Sequence, residues 1–150
     1  MKSNGAGQLA RSPIHLLHRA SQVVEEIFTA EIEIDRLTPR QLAVLVTVAQ
    51  NEGLSQTGIV DRTGIDRSTL ADIVRRLHKR GLLQRRRTKE DARAYAVKLT
   101  EEGRRVLRTA EPITKRVDQR ILDALPSKQR DQFMSALVSI VATLERPAPA

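Results

Sequence analysis

The side chains best equipped for chemistry in this chain are cations and short hydroxyls, and they fall close together. In the stretch "RSTLADIVRRLHKR", residues 67–80, Leu70, Ile73, Val74 and Leu77 recur at the spacing of one helix face. Ser68, Asp72, Arg75 and Lys79 lie opposite, with Thr69 and Arg76 on one shoulder and Arg67 on the other. A helix that reads DNA enters the major groove by its N-terminal part, where hydroxyls reach bases or phosphates and Arg bonds guanine. An ordinary amphipathic helix with a solvated basic face would show the same pattern. A second cluster follows in "RRRTKEDARAYAV", where Arg85, Arg86, Arg87, Lys89 and Arg93 surround one turn that also holds Glu90 and Asp91. Guanidinium groups at a hairpin tip suit phosphates and the negative potential of a narrow minor groove. Asp91 and Arg93 could hold each other, or Asp91 could order the turn while Arg93 inserts.

The charge balance favours a polyanionic partner, nucleic acid before membrane. Across the 150 residues, 26 Lys and Arg exceed 18 Asp and Glu by eight; residues 61–98 alone hold 12 basic and 5 acidic side chains, a net +7. Phe28, Tyr95 and Phe133 are the whole aromatic supply, so the core must be aliphatic. The absence of cysteine excludes disulfides, thiolate metal sites and a thiol switch. "MKSNGAGQLARSP" lacks a signal-like apolar core and "LAVLVTVA" is too short to span a bilayer, so a cytoplasmic protein without membrane contact is expected.

These side chains need elements to carry them. Residues 1–11 are small and polar, and are expected to form a disordered arm. Ser12 and Pro13 predict a helix start, with a long helix to about residue 34 whose apolar side (Ile14, Leu16, Leu17, Ala20, Val23, Val24, Ile27, Phe28) is too broad for a lone surface helix. "TPRQ" at 38–41 is a capping-box pattern, and "PRQLAVLVTVAQ" behind it is apolar enough to be buried. "EGLS" breaks that helix. Ser55 can cap a short helix ending at Gly64, and Asp66 a second one stopped by Gly81; joined by "TGID", they read as a helix-turn-helix. Ser55, Gln56 and Thr57, opening the first of these, join the expected DNA-contacting set. "LLQRRR" and "ARAYAVKL" then predict a two-stranded hairpin around the polar loop "TKED". Thr100 should cap a long helix to about Leu125, striped by Val106, Ala110, Ile113, Val117 and Ile121. After Pro126, a last helix carries Phe133, Met134, Leu137, Ile140, Val141 and Leu144. The terminal helices carry more apolar surface than a monomer of this size easily covers, and a homodimer is the simplest remedy.

Taken in order, the helix-turn-helix, "GLLQRRR", "EDAR" and "VKLTEEG" resemble the MarR family of winged helix-turn-helix transcriptional regulators, over roughly residues 12–145. The family's wing pattern, Asp-x-Arg, a strand and Leu-Thr-x-x-Gly, is matched by Asp91-Ala92-Arg93, residues 94–98 and Leu99-Thr100-Glu101-Glu102-Gly103. The resemblance implies a mainly α fold with a small β-hairpin wing: N- and C-terminal dimerisation helices (12–37 and 101–146) around a winged helix-turn-helix DNA-binding domain (38–100). It also implies recognition helices in successive major grooves, wings in flanking minor grooves, Arg93 as the wing arginine and Asp91 as its structural partner. Gly58 departs from the pattern, since the family usually has a helix former there; Gly costs about 1 kcal/mol relative to Ala in a helix. Either it allows a close backbone approach or it is merely tolerated.

Many relatives bind small aromatic acids, or coenzyme A thioesters of such acids, between the dimer helices and the DNA-binding lobe, and then release DNA. His15, His18 and Gln22 form a ridge on the first long helix, with Arg19 beside it, and these could hold such an anion or form a solvated ridge. His15 and His18 lack a third ligand for a metal. No HExxH, GxSxG, P-loop or GxGxxG motif occurs, so neither catalysis nor a bound cofactor is expected. The expected activity is that of a dimeric, operator-specific DNA-binding repressor. A basic architectural or RNA-binding protein without sequence preference would share the charge but would not need hydroxyl and Arg groups placed for a groove.

Overall fold

The computed structural model describes residues 4–32, 36–87 and 95–145. Helix α1 (Asn4–Ala10) occupies most of the segment expected to be a disordered arm. Gln8, Leu9 and Ala10 are helix formers, and a turn with Arg11 and Ser12 N–H bonded to the Gln8 and Leu9 carbonyls carries the chain into α2 (Pro13–Glu31). Ser12 caps α2 through His15 N–H. The helix ends with Ile32 N–H on the Phe28 carbonyl, before the expected residue 34.

At α3 (Pro39–Gln50) the capping box forms reciprocally: Gln41 N–H donates to Thr38 Oγ1 at 3.1 Å and Thr38 N–H to Gln41 Oε1 at 3.2 Å. Leu42, Val44, Leu45 and Val48 of α3 are buried, and around them pack Phe28 of α2, Ile59 of α4 (Gln56–Thr63), Leu70, Val74 and Leu77 of α5 (Arg67–Lys79), and Val106, Leu107 and Ala110 of α6 (Glu101–Asp123). With no aromatic besides Phe28, aliphatic side chains fill this core, as the composition requires.

The sheet has one strand more than the sequence predicted. The segment read as a break contributes β1 (Leu54–Ser55), antiparallel to β3 (Tyr95–Leu99), which also pairs with β2 (Leu83–Arg87); the order is β1-β3-β2. A strand of two residues has no periodicity to read, and only its partner defines it. Pairing of Leu54 with Val97 and of Ser55 with Ala96 ties the helix-turn-helix to the wing. The wing's turn, with Lys89, Asp91 and Arg93, lies outside the described residues.

Gly58 gains a reason here. A Cβ on it would come within 2.5 Å of Leu54 Cδ1 and 2.8 Å of Cγ, so the missing side chain is the seat of Leu54 over the start of α4. Helix α7 (Ser127–Leu144) buries no residue completely, and Met134, Val138, Ile140, Val141 and Leu144 are exposed along it. On α2, Ile14, Leu16, Leu17 and Val23 are exposed likewise.

Candidate nucleic-acid interface

The helix-turn-helix is fixed by local hydrogen bonds. Ser55 caps α4, its hydroxyl accepting from Gly58 N–H at 3.0 Å. Gly64 terminates it at φ 72°, a left-handed conformation open to glycine, with its N–H on the Val60 carbonyl. Asp66 caps α5 by accepting from Thr69 N–H at 3.3 Å and from the Ser68 hydroxyl at 2.8 Å. Hydrogen bonds from Thr69, and after it Ser68, hold the Asp66 carboxyl below its ordinary 3.8. The hydroxyls expected to meet DNA therefore also set the start of the helix that carries them.

On α5 the two faces separate as the spacing predicts: Leu70, Ile73, Val74 and Leu77 are buried, and Arg67, Ser68, Arg75, Arg76 and Lys79 are exposed. Thr69 and Asp72 are half-buried. Asp72 pairs with both arginines, Oδ1 with Arg75 Nη2 and Oδ2 with Arg76 Nε at 2.9 Å. Exposed pairs at these spacings contribute about 0.3–0.5 kcal/mol each, so they orient side chains more than they stabilise the fold. Ser55, Gln56, Thr57 and Arg67 line one cleft together with Val60, Leu70 and Tyr95, which brings the openings of both helices against the root of the wing.

Helix α5 stops at Gly81, φ 78°, and Leu82 N–H returns to the Leu77 carbonyl at 2.9 Å. His78 Nδ1 stands 3.0 Å from the Leu83 carbonyl, a further tie between α5 and β2. Thr100 closes the unit: its hydroxyl donates to the Gly81 carbonyl at 2.6 Å and accepts from Gly103 N–H at 2.9 Å, while its own N–H donates to the Leu82 carbonyl at 3.1 Å. A Cβ on Gly103 would collide with that same Leu82 carbonyl. The Leu-Thr-x-x-Gly pattern is thus a joint between recognition helix, wing and α6.

The arginine run divides by strand alternation. Arg85 and Arg87 share a face with Tyr95, their guanidinium carbons 5.5 and 5.9 Å from its ring centre. Arg85 is half-buried, and its Nε is enclosed without a hydrogen-bond partner among the described residues. Arg86 lies on the opposite face, exposed, on the same side as Lys98. Tyr95 and Lys98 were not singled out from the sequence. The period-two step from Tyr95 to Val97 and Leu99 was the available signal for the first, and the Gln84–Lys98 register, which no local pattern reveals, defines the second.

The ridge on α2 leads elsewhere. His15 is half-buried and His18, Arg19 and Gln22 are exposed, on a different element from the basic face of α5. Among the described residues no group of His, Cys, Asp or Glu is arranged to hold a metal ion, and no helix is long and apolar enough to cross a membrane.

A three-stranded wing behind a capped helix-turn-helix, with cations on the outward face of its second helix, defines the winged-helix class of DNA-binding regulators. The chain belongs to the MarR family of transcriptional regulators. The MarR family model matches residues 37–94. The transcriptional regulator HosA of Escherichia coli O127:H6 is 32% identical over 111 residues, 74% of this chain and 82% of HosA. The PcaV transcriptional regulator of Streptomyces coelicolor, solved with its natural ligand, superposes with a TM-score of 0.85 at 33% identity, covering 91% of this chain and 96% of that one. The transcriptional repressor CouR, bound to a 23-mer DNA duplex, gives 0.81 at 32% identity over 90% and 96% of the two chains. A CouR from Rhodococcus jostii RHA1, solved with p-coumaroyl-CoA, gives 0.76 at 26% identity over 93% and 98%.

Proposed function

We propose that this chain is a homodimeric, operator-specific repressor that is released from DNA by a small aromatic acid or its coenzyme A thioester. The observation that carries the DNA reading is the face of α5, where Arg67, Ser68, Arg75, Arg76 and Lys79 are exposed together on a helix locked to a wing. CouR, similar over nine-tenths of this chain, is the repressor seen on a duplex, which supports the same geometry here. In this reading residues 38–100 bind DNA, residues 12–37 and 101–146 dimerise, and Arg93 with Asp91 completes the wing in the minor groove. Ser55, Gln56, Thr57, Thr69, Asp72, Arg86, Arg87 and Lys89 complete the contact set. The protein acts in the cytoplasm, where such a DNA target is reached.

The effector part rests on the ligand-bound relatives and on the α2 ridge of His15, His18, Arg19 and Gln22, which offers cationic and hydrogen-bonding groups to a carboxylate. The test uses the full-length protein with duplexes recovered by binding-site selection and with random duplexes of equal length. The selected duplex should bind at least about a thousandfold more tightly, the low side of the range for specific regulators. Equal binding to both would leave a basic protein without sequence preference. Addition of a planar aromatic carboxylate or its thioester should raise the melting temperature and weaken operator binding together. A panel of such compounds that moves neither observable would remove the effector from the proposal and leave the DNA reading standing.

A further inference from the structure

Asp72 occupies the middle of the outward face of α5, one turn after Ser68 and one turn before Arg75 and Arg76. Each of its oxygens is engaged by a different arginine, Oδ1 by Arg75 and Oδ2 by Arg76. The side chains of Arg75 and Arg76 are 68% and 67% exposed and that of Asp72 is 38%, so the acid lies against the helix while the arginines reach past it. An ionised carboxylate only accepts hydrogen bonds, and so do phosphate oxygens. Against a DNA backbone this group is repulsive. In the major groove its favourable partners are exocyclic amino groups. Cytosine N4 offers one with only C5–H on its outer side, whereas adenine N6 has N7 there, which would face the second oxygen. The arginines seek the opposite pattern, the O6 and N7 acceptors of guanine.

We infer that Asp72 is a specificity-determining residue: it accepts from a cytosine N4–H beside the guanine read by Arg75, and on other sequences it withholds Arg75 and Arg76 from the phosphates. This rests on the DNA-binding reading above and adds a sign to it. A segment with a net charge of +7 binds any duplex unless something penalises the wrong one, and one acid placed among the reading cations supplies that penalty. Arg75 alone would select guanine; Arg75 with Asp72 selects the pairing of guanine with a correctly placed cytosine.

The deciding experiment compares full-length wild type with Asp72→Asn, which keeps the shape and removes the charge. Affinities for the selected and the random duplex are measured at one fixed salt concentration, and binding-site selection is repeated on the variant. The melting temperature should stay as in wild type, because both ion pairs are on the surface. Random DNA should bind more tightly, and the specific-to-random ratio should fall by roughly tenfold, the discrimination of one base contact. At one position per recognition helix the preferred base should change from cytosine to adenine, whose N6 and N7 an asparagine amide reads together. A ratio within about twofold of wild type, or an equal loss of affinity on both duplexes, overturns the inference. If wild type itself did not prefer its selected duplex, the operator-specific reading would fall instead, and Asp72 with it.

Discussion

At the residue scale, Tyr95 and Gly103 decide how the wing is held. Tyr95 presents its ring to Arg85 and Arg87, and so holds two cations of a three-arginine run on one face of the hairpin. Tyr95→Phe retains a π face and should unfold in urea within about 0.5 kcal/mol of wild type, whereas Tyr95→Leu should lose about 1–2 kcal/mol, the sum expected of two cation–π contacts. Equal midpoints for the two variants would mean that the ring acts by volume alone. Gly103 poses the opposite problem, since an added methyl meets a backbone carbonyl rather than a side chain that can turn away. Gly103→Ala should cost about 1–3 kcal/mol even though Ala is the better helix former; Gly7→Ala, in open space on α1, is the control that should not destabilise. Denaturant midpoints showing Gly103→Ala at or above wild type would contradict the proposed joint. The run of three arginines could be read as a positive cluster from the sequence. Which of them face the core could not, because that depends on the register of β2 against β3.

At the element scale, the caps carry the prediction. The Asp66 carboxyl is held below its ordinary value in the folded chain, so folding favours the ionised form. Its stabilisation is therefore complete above the unfolded pKa and is lost as pH falls through the folded one. Asp66→Ala should lower the melting midpoint at neutral pH by roughly 3–6 °C. The gap between variant and wild type should stay constant near neutrality and close below about pH 4. A gap that persists unchanged into strong acid would show that the carboxylate is not the capping group. Caps were legible in advance: Ser12, Thr38, Ser55, Asp66 and Thr100 act within three or four residues of themselves, and sequence displays such distances directly. Strand β1 was not legible, because Leu54 and Ser55 become a strand only against Val97 and Ala96, more than forty positions away. The outward face of α5 was legible from its period; the pairing of Asp72 with both arginines at once needed the side-chain geometry.

At the scale of the whole molecule, the exposed apolar faces are what the proposed dimer would account for. The exposed apolar residues concentrate on α2 and α7, with Ile14 80%, Val138 62% and Leu144 73% exposed, while the helix-turn-helix between them is packed. Unpaired apolar faces at both ends of the chain are what a second copy would cover, and obligate homodimers commonly bury about 2,000–5,000 Å² in total. Sedimentation at micromolar concentration should give one species of twice the chain's 16.8 kDa. Val141→Glu puts an unpaired charge on the α7 face without touching a buried residue, since Val141 is 56% exposed in the single chain. It should shift sedimentation towards the 16.8 kDa species. Operator affinity should fall with it by roughly 10²–10⁴-fold, because the second recognition helix would no longer be delivered by the first. The same variant should leave the binding of a single half-site nearly unchanged, as α5 and the wing are untouched. A wild type that sediments only as the monomer would refute the dimer outright. A monomeric Val141→Glu that still held the full operator like wild type would show instead that DNA recognition here needs only one chain.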